Sequence, residues 1–67
     1  MDEQNKEIFV GEFTEDQVLS ERKFYKDTLA QQIEKNNVSE YKIRTELVEH
    51  KGLSYYFRNM RVWLVVS

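Results

Sequence analysis

The fifteen residues from Leu53 to Ser67 are apolar at both parities, and that limits what the chain can fold into. Read as a strand, Tyr55, Phe57, Trp63 and Val65 project to one side, and Tyr56, Met60, Val62, Leu64 and Val66 to the other, because side chains alternate along an extended backbone. Such a strand belongs in the middle of a sheet. With 67 residues the chain forms one domain at most, and its own helix shelters one face. The other face needs a partner or stays in water.

Size sharpens this. Below roughly 70–80 residues a lone core seldom supplies more than about 3–5 kcal/mol. Cysteine is absent, which excludes disulfides and thiolate zinc sites. His50 is the single histidine, too few imidazoles for an ordinary zinc site. No metal and no cofactor is expected. A second subunit is the support left open. The lack of cysteine suits a reducing compartment. The polar, acidic start, Met1-Asp2-Glu3-Gln4-Asn5-Lys6, has no signal-peptide core. No apolar run approaches the roughly 20 residues of a membrane helix. The expectation is a cytoplasmic protein without membrane contact.

Residues 1–7 are expected to form a flexible acidic tail, and residues 8–67 the single domain. Ile8-Phe9-Val10 reads as the first strand, ended by Gly11 and Glu12. Thr14-Glu15-Asp16-Gln17 matches a capping box, with Phe13 and Val18 placed as a hydrophobic staple. Glu15 and Asp16 suit the positive end of the helix dipole. One helix is predicted from there to about Asn36, with Val18, Leu19, Tyr25, Leu29, Ala30 and Ile33 on its apolar side. Asn36-Asn37 is a left-handed stop. Arg22 falls in the apolar stripe and reads as a stem packed on the core with its head in water. Phe24 reads as a lone exposed aromatic.

Tyr41 to Leu47 alternates as a second strand, and His50-Lys51-Gly52-Leu53 reads as a turn in which Gly52 takes positive φ. With Lys51-Gly52 as the loop, Leu47 faces Tyr56, Ile43 faces Met60 and Tyr41 faces Val62. Lys42, Arg44, Glu46 and Val48 then share the opposite face with Tyr55, Phe57, Asn59, Arg61 and Trp63. An alternative breaks the third strand at Arg58-Asn59 into a second hairpin. The fold expected is α+β: a β-α-β-β chain with a three-stranded antiparallel or mixed sheet in the order 2-3-1 and one helix packed on one face. A right-handed crossover makes the first two strands parallel.

No catalytic arrangement is visible, and an enzyme is not expected. His50 sits in the predicted turn without a nucleophile to serve. The Glu15-Asp16 pair is explained by the helix start. There is no glycine-rich phosphate loop and no metal-ligand spacing.

The uncovered sheet face is the candidate interface, with Tyr55, Phe57, Trp63, Val65 and Val48 as its residues. Aromatic residues, Met and Arg are enriched at interface centres, and a two-fold dimer buries such a face in both copies at once. The competing reading packs these rings on one another within a monomer. A nucleic-acid alternative uses the same rings with Lys42, Arg44 and Arg61. The net charge of −2 and pI of 5.3 give it a poor basic footprint. Charge is uneven: residues 1–37 hold nine acidic and five basic side chains, residues 38–67 three acidic and five basic. Glu12, Glu15, Asp16, Glu21, Asp27 and Glu34 are expected to form an acidic surface beside the helix. Spaced carboxylates of this kind can imitate a phosphate backbone, so a basic, DNA-binding protein is the partner expected beside a second copy of the chain. The plainer reading is a solvated helix of mixed charge.

The small format, the absence of cysteine, the strand-helix-strand-strand order and the acids Asp2, Glu3, Glu7, Glu12, Glu15 and Asp16 together carry a resemblance. The chain resembles the small early, host-takeover proteins of bacteriophages, among them DNA-mimic inhibitors of the host nucleoid protein HU. The resemblance implies an inhibitor of a basic protein and carries over no individual residue role.

Overall fold

The computed structural model describes residues 6–66. Strand β1 spans Lys6–Thr14, helix α1 Glu15–Leu19, helix α2 Lys23–Lys35, strand β2 Tyr41–Lys51 and strand β3 Tyr56–Val66. The sheet order is β1-β3-β2. β3 is antiparallel to both neighbours, so β1 and β2 run in the same direction. The α+β class, the central third strand and the 2-3-1 order all hold. Of the predicted tail, Lys6 and Glu7 belong to β1, opposite Val66 and Val65. The rest of it and Ser67 lie outside the described residues.

The faces of β3 divide as its alternation requires. Val62 and Leu64 are 0% exposed. They form one core with Val10, Phe13 and Tyr25, and Ile8, Val18, Leu29 and Ile33 pack against it. Full burial of a Val or Leu side chain is worth about 1.5–3 kcal/mol. Ile8 and Val10 share this face with Phe13, which plain alternation forbids. A bulge between Phe9 and Gly11 inserts the extra residue that resets the parity. Gly11 takes φ 157° there, and a Cβ would lie 3.1 Å from the Phe13 ring.

The capping box is present as read. The Thr14 hydroxyl accepts from the Gln17 amide at 3.1 Å, and the Gln17 side chain accepts from the Thr14 amide at 3.0 Å. The single long helix is not. It stops at Leu19 and restarts at Lys23. Glu21 adopts φ 49°, and its amide donates to Val18 O while the Arg22 amide donates to Gln17 O. These are the paired bonds of a Schellman motif. Arg22 is therefore no stripe residue. It flanks α2, and its Nε donates to Asp16 Oδ2 at 2.9 Å. The same motif closes α2. Asn37 takes φ 54°, its amide donates to Glu34 O and the Val38 amide to Ile33 O, as the Asn36-Asn37 pair suggested. Leu19 and Ala30, placed on the apolar stripe by sequence, are exposed. Phe24 is exposed too, but meets Phe13 edge-on at 5.8 Å.

The hairpin register differs from expectation by four residues. Leu47 opposes Met60, Ile43 opposes Leu64 and Tyr41 opposes Val66. The loop is Gly52 to Tyr55, closed by the Gly52 amide donating to Tyr55 O at 2.9 Å. Four is even, so each side chain keeps its predicted face. β3 starts at Tyr56 rather than Leu53, and it runs unbroken through Arg58 and Asn59. Gly52 is needed for space rather than positive φ, since a Cβ would run into the Tyr55 ring. β1 reaches only as far as Asn59, so the hairpin from Glu49 to Arg58 projects as a two-stranded arm. The molecule measures 49 × 28 × 16 Å. Among the described residues no helix is long and apolar enough to cross a membrane.

Candidate functional site

The sheet face turned away from the helices carries the side chains of rows that cross all three strands. One row is Phe9, Trp63 and Arg44; the next is Glu12, Arg61 and Glu46. Phe9 and Trp63 meet with centroids 5.4 Å apart. The Arg44 guanidinium carbon sits 4.0 Å above the Trp63 ring, a cation–π placement. Arg44 Nη2 also donates to Glu7 at 2.8 Å, and Nη1 to Glu46 at 3.4 Å. Glu7 is the main cause that raises the Arg44 pKa.

Glu12 is the hub of the second row. Oε2 accepts from Asn59 Nδ2 and from His50 Nε2, each at 2.8 Å, and Oε1 accepts from Arg61 Nε at 3.1 Å. These bonds, Asn59's first, pull the Glu12 pKa down to about 2. Glu12 thus sits on the open sheet face, not in the acidic helix surface where the sequence placed it. His50 is in β2 rather than in a turn, stacked on Phe57 at 4.8 Å. This cluster joins residues far apart in the chain and leaves no motif. Its only trace in sequence is the alternation that puts Glu12 and Arg61 on one face once the bulge is known.

Of the five predicted interface residues, four share this face, and Tyr55 sits in the hairpin loop with its ring 5.9 Å from that of Phe57. Trp63, Val65 and Val48 are half-buried beneath their neighbours; Tyr55 and Phe57 are exposed near the arm's tip. A second apolar surface went unrecognised. α1 packs over β1 and β3, α2 packs over β1, and the backbone of neither helix comes close to that of β2. On the helix side of β2, Tyr41 and Ile43 are each 40% exposed and Leu47 is 53% exposed. Tyr56 extends the row onto the arm, its hydroxyl donating to Glu49 at 3.1 Å.

The acids on the helix side are mostly matched within the chain. Glu15 pairs with Arg58 at 3.2 Å, Asp16 with Arg22 at 2.9 Å, Asp27 with Lys23 at 2.7 Å and Glu21 with Lys26 at 3.6 Å. Arg22, then Ser20, hold the Asp16 carboxyl below its ordinary pKa. Glu34 has no ion pair among the described residues. On the sheet, Arg44 and Arg61 are engaged by carboxylates, while Lys42 lies beside Val65 without an ion pair among the described residues.

Among the described residues no group of acidic or histidine side chains is placed to hold a metal ion. A shallow pocket of about 170 Å³ lies between the start of β1 and the α2–β2 connection, lined by Lys6, Ile8, Asn36, Ser39 and Glu40 among others. Compared with known protein families, curated proteins and solved structures, the chain matches none.

Proposed function

We propose that this protein is a non-enzymatic protein-binding module that works as a homodimer and uses its helix side against a basic partner. One observation carries the reading. The helices approach the backbone of β1 and β3 but not that of β2, and Tyr41, Ile43 and Leu47 of β2 and the rings of the arm stay partly exposed. Contiguous exposed apolar surface on a small domain marks an interaction site. A second copy supplies the cover that so short a chain cannot make for itself.

The basic-partner half rests on Glu15, Asp16, Glu21, Asp27 and Glu34, which lie on or beside the two helices. Four of them already hold cations of this chain. A basic protein must displace Arg22, Lys23, Lys26 and Arg58, so its binding is expected to be weak in each contact and steeply salt-dependent. Inhibition of a DNA-binding protein by mimicry of the phosphate backbone of DNA is the form this takes. Single-stranded nucleic acid on Lys42, Arg44 and Arg61 draws less support, because Arg44 and Arg61 are neutralised by Glu7, Glu46 and Glu12.

Sedimentation across the micromolar range tests self-association, and a sedimenting monomer throughout overturns it. Capture of basic proteins from a bacterial lysate, eluted by rising salt, tests the partner. Recovery of none removes that half of the reading. Unchanged Trp63 fluorescence on adding oligonucleotides at low salt dismisses the nucleic-acid alternative.

A further inference from the structure

We propose that two copies of this chain join edge to edge through β2, antiparallel, in a register centred on Thr45, to form a continuous six-stranded sheet. This rests on the homodimer reading and specifies its geometry. β2 is an edge strand, paired with β3 on one side alone. It runs eleven residues without proline, glycine or bulge. Native edges are commonly guarded by proline, by bulges or by charged side chains; β2 has only the last, in Lys42, Arg44, Glu46, Glu49 and Lys51.

The sequence of β2 is complementary to itself in one register. Antiparallel pairing sets side chains opposite one another on the same face, so a two-fold axis passes through a self-paired residue. With Thr45 on the axis, Ile43 of each copy meets Leu47 of the other on the helix side. On the open face Arg44 meets Glu46. The four charges alternate in sign, across the strands as well as along them, where Arg44 Nη1 already lies 3.4 Å from Glu46 of its own strand. Moving the axis by one residue is unfavourable. On Arg44 it sets guanidinium against guanidinium, and on Glu46 carboxylate against carboxylate, arrangements that destabilise a sheet pair. The residues that gain contacts, Ile43 and Leu47, are apolar side chains that are 40% and 53% exposed in the single chain.

The absence of native cysteine makes the test clean. Directly opposed residues in an antiparallel pair have Cα atoms about 4.5–5.5 Å apart, within the span of a disulfide. Thr45→Cys, mildly oxidised at micromolar concentration, is expected to give a covalent dimer, whereas Lys42→Cys is expected to stay unlinked. Ile43→Cys mixed with Leu47→Cys is expected to link as the heterodimer and provides the check should Thr45→Cys fold poorly. Glu46→Arg, which turns the charge quartet into four cations, is expected to weaken the dimer roughly tenfold. Sedimentation as a dimer, with no link at Thr45 or between positions 43 and 47 but with a link at Phe57→Cys, would overturn the β2 edge and leave the homodimer reading standing. A wild-type monomer would overturn both.

Discussion

At the scale of single residues, Glu12 gives the plainest electrostatic prediction. Its carboxylate accepts three hydrogen bonds on the open sheet face, and its pKa falls from 4.5 to about 2. A carboxyl with a depressed folded pKa stabilises the fold fully above its unfolded value. The contribution is lost as pH drops from about 4.5 through about 2, because the unfolded chain binds the proton more readily. Urea midpoints measured across that window should fall for the wild type and fall less steeply for Glu12→Gln. Equal slopes would show that the cluster is not held in solution. Glu21 offers a backbone test. At φ 49° it occupies a region costly for any residue with a Cβ. Glu21→Gly should stabilise the protein by about 0.5–1 kcal/mol, read as a higher melting temperature. A lower one would place the α1–α2 break elsewhere.

Elements show where the sequence was legible and where it was not. The capping box at Thr14 was readable because it is local, its donor and acceptor three residues apart. The break between α1 and α2 was not. Its left-handed residue is Glu21, which carries no glycine or asparagine signature, while Asn37 at the end of α2 does. The hairpin faces were readable from alternation, but the register was not. Lys51-Gly52 looked like a complete turn, whereas Gly52 serves by leaving room for the Tyr55 ring. Of the candidate site, the uncovered aromatic face was legible. The exposed row on β2 was hidden because it depends on where the helices lie across the sheet. The bulge at Gly11 was read only as a strand end, yet it lets Ile8, Val10 and Phe13 share one core face. Gly11→Ala adds a Cβ 3.1 Å from the Phe13 ring at φ 157°. The expected cost is about 1–3 kcal/mol, measurable by urea denaturation. A cost near zero would mean that β1 can straighten without displacing Phe13.

At the scale of the whole molecule, stability and association are predicted to separate. The core under α1 and α2 is complete within one chain, with Val62 and Leu64 sealed. The β2 flank contributes apolar side chains that the chain covers only in part. Changes on the two surfaces should therefore have different signatures. Leu64→Ala removes buried methyl groups, which typically costs about 2–5 kcal/mol, enough to unfold much of a domain this small. Leu47→Lys changes a side chain that is 53% exposed on the edge strand. It should leave the circular dichroism of the folded monomer intact while shifting the sedimentation profile from dimer to monomer. Ile43→Lys should do the same, since both residues lie on the helix side of β2 and are partly exposed. If instead Leu47→Lys unfolds the chain at every concentration, the flank belongs to the monomer's own core. If it folds and still dimerises, association runs through the Trp63 face, and Tyr55→Glu or Phe57→Glu should then be the substitutions that abolish it.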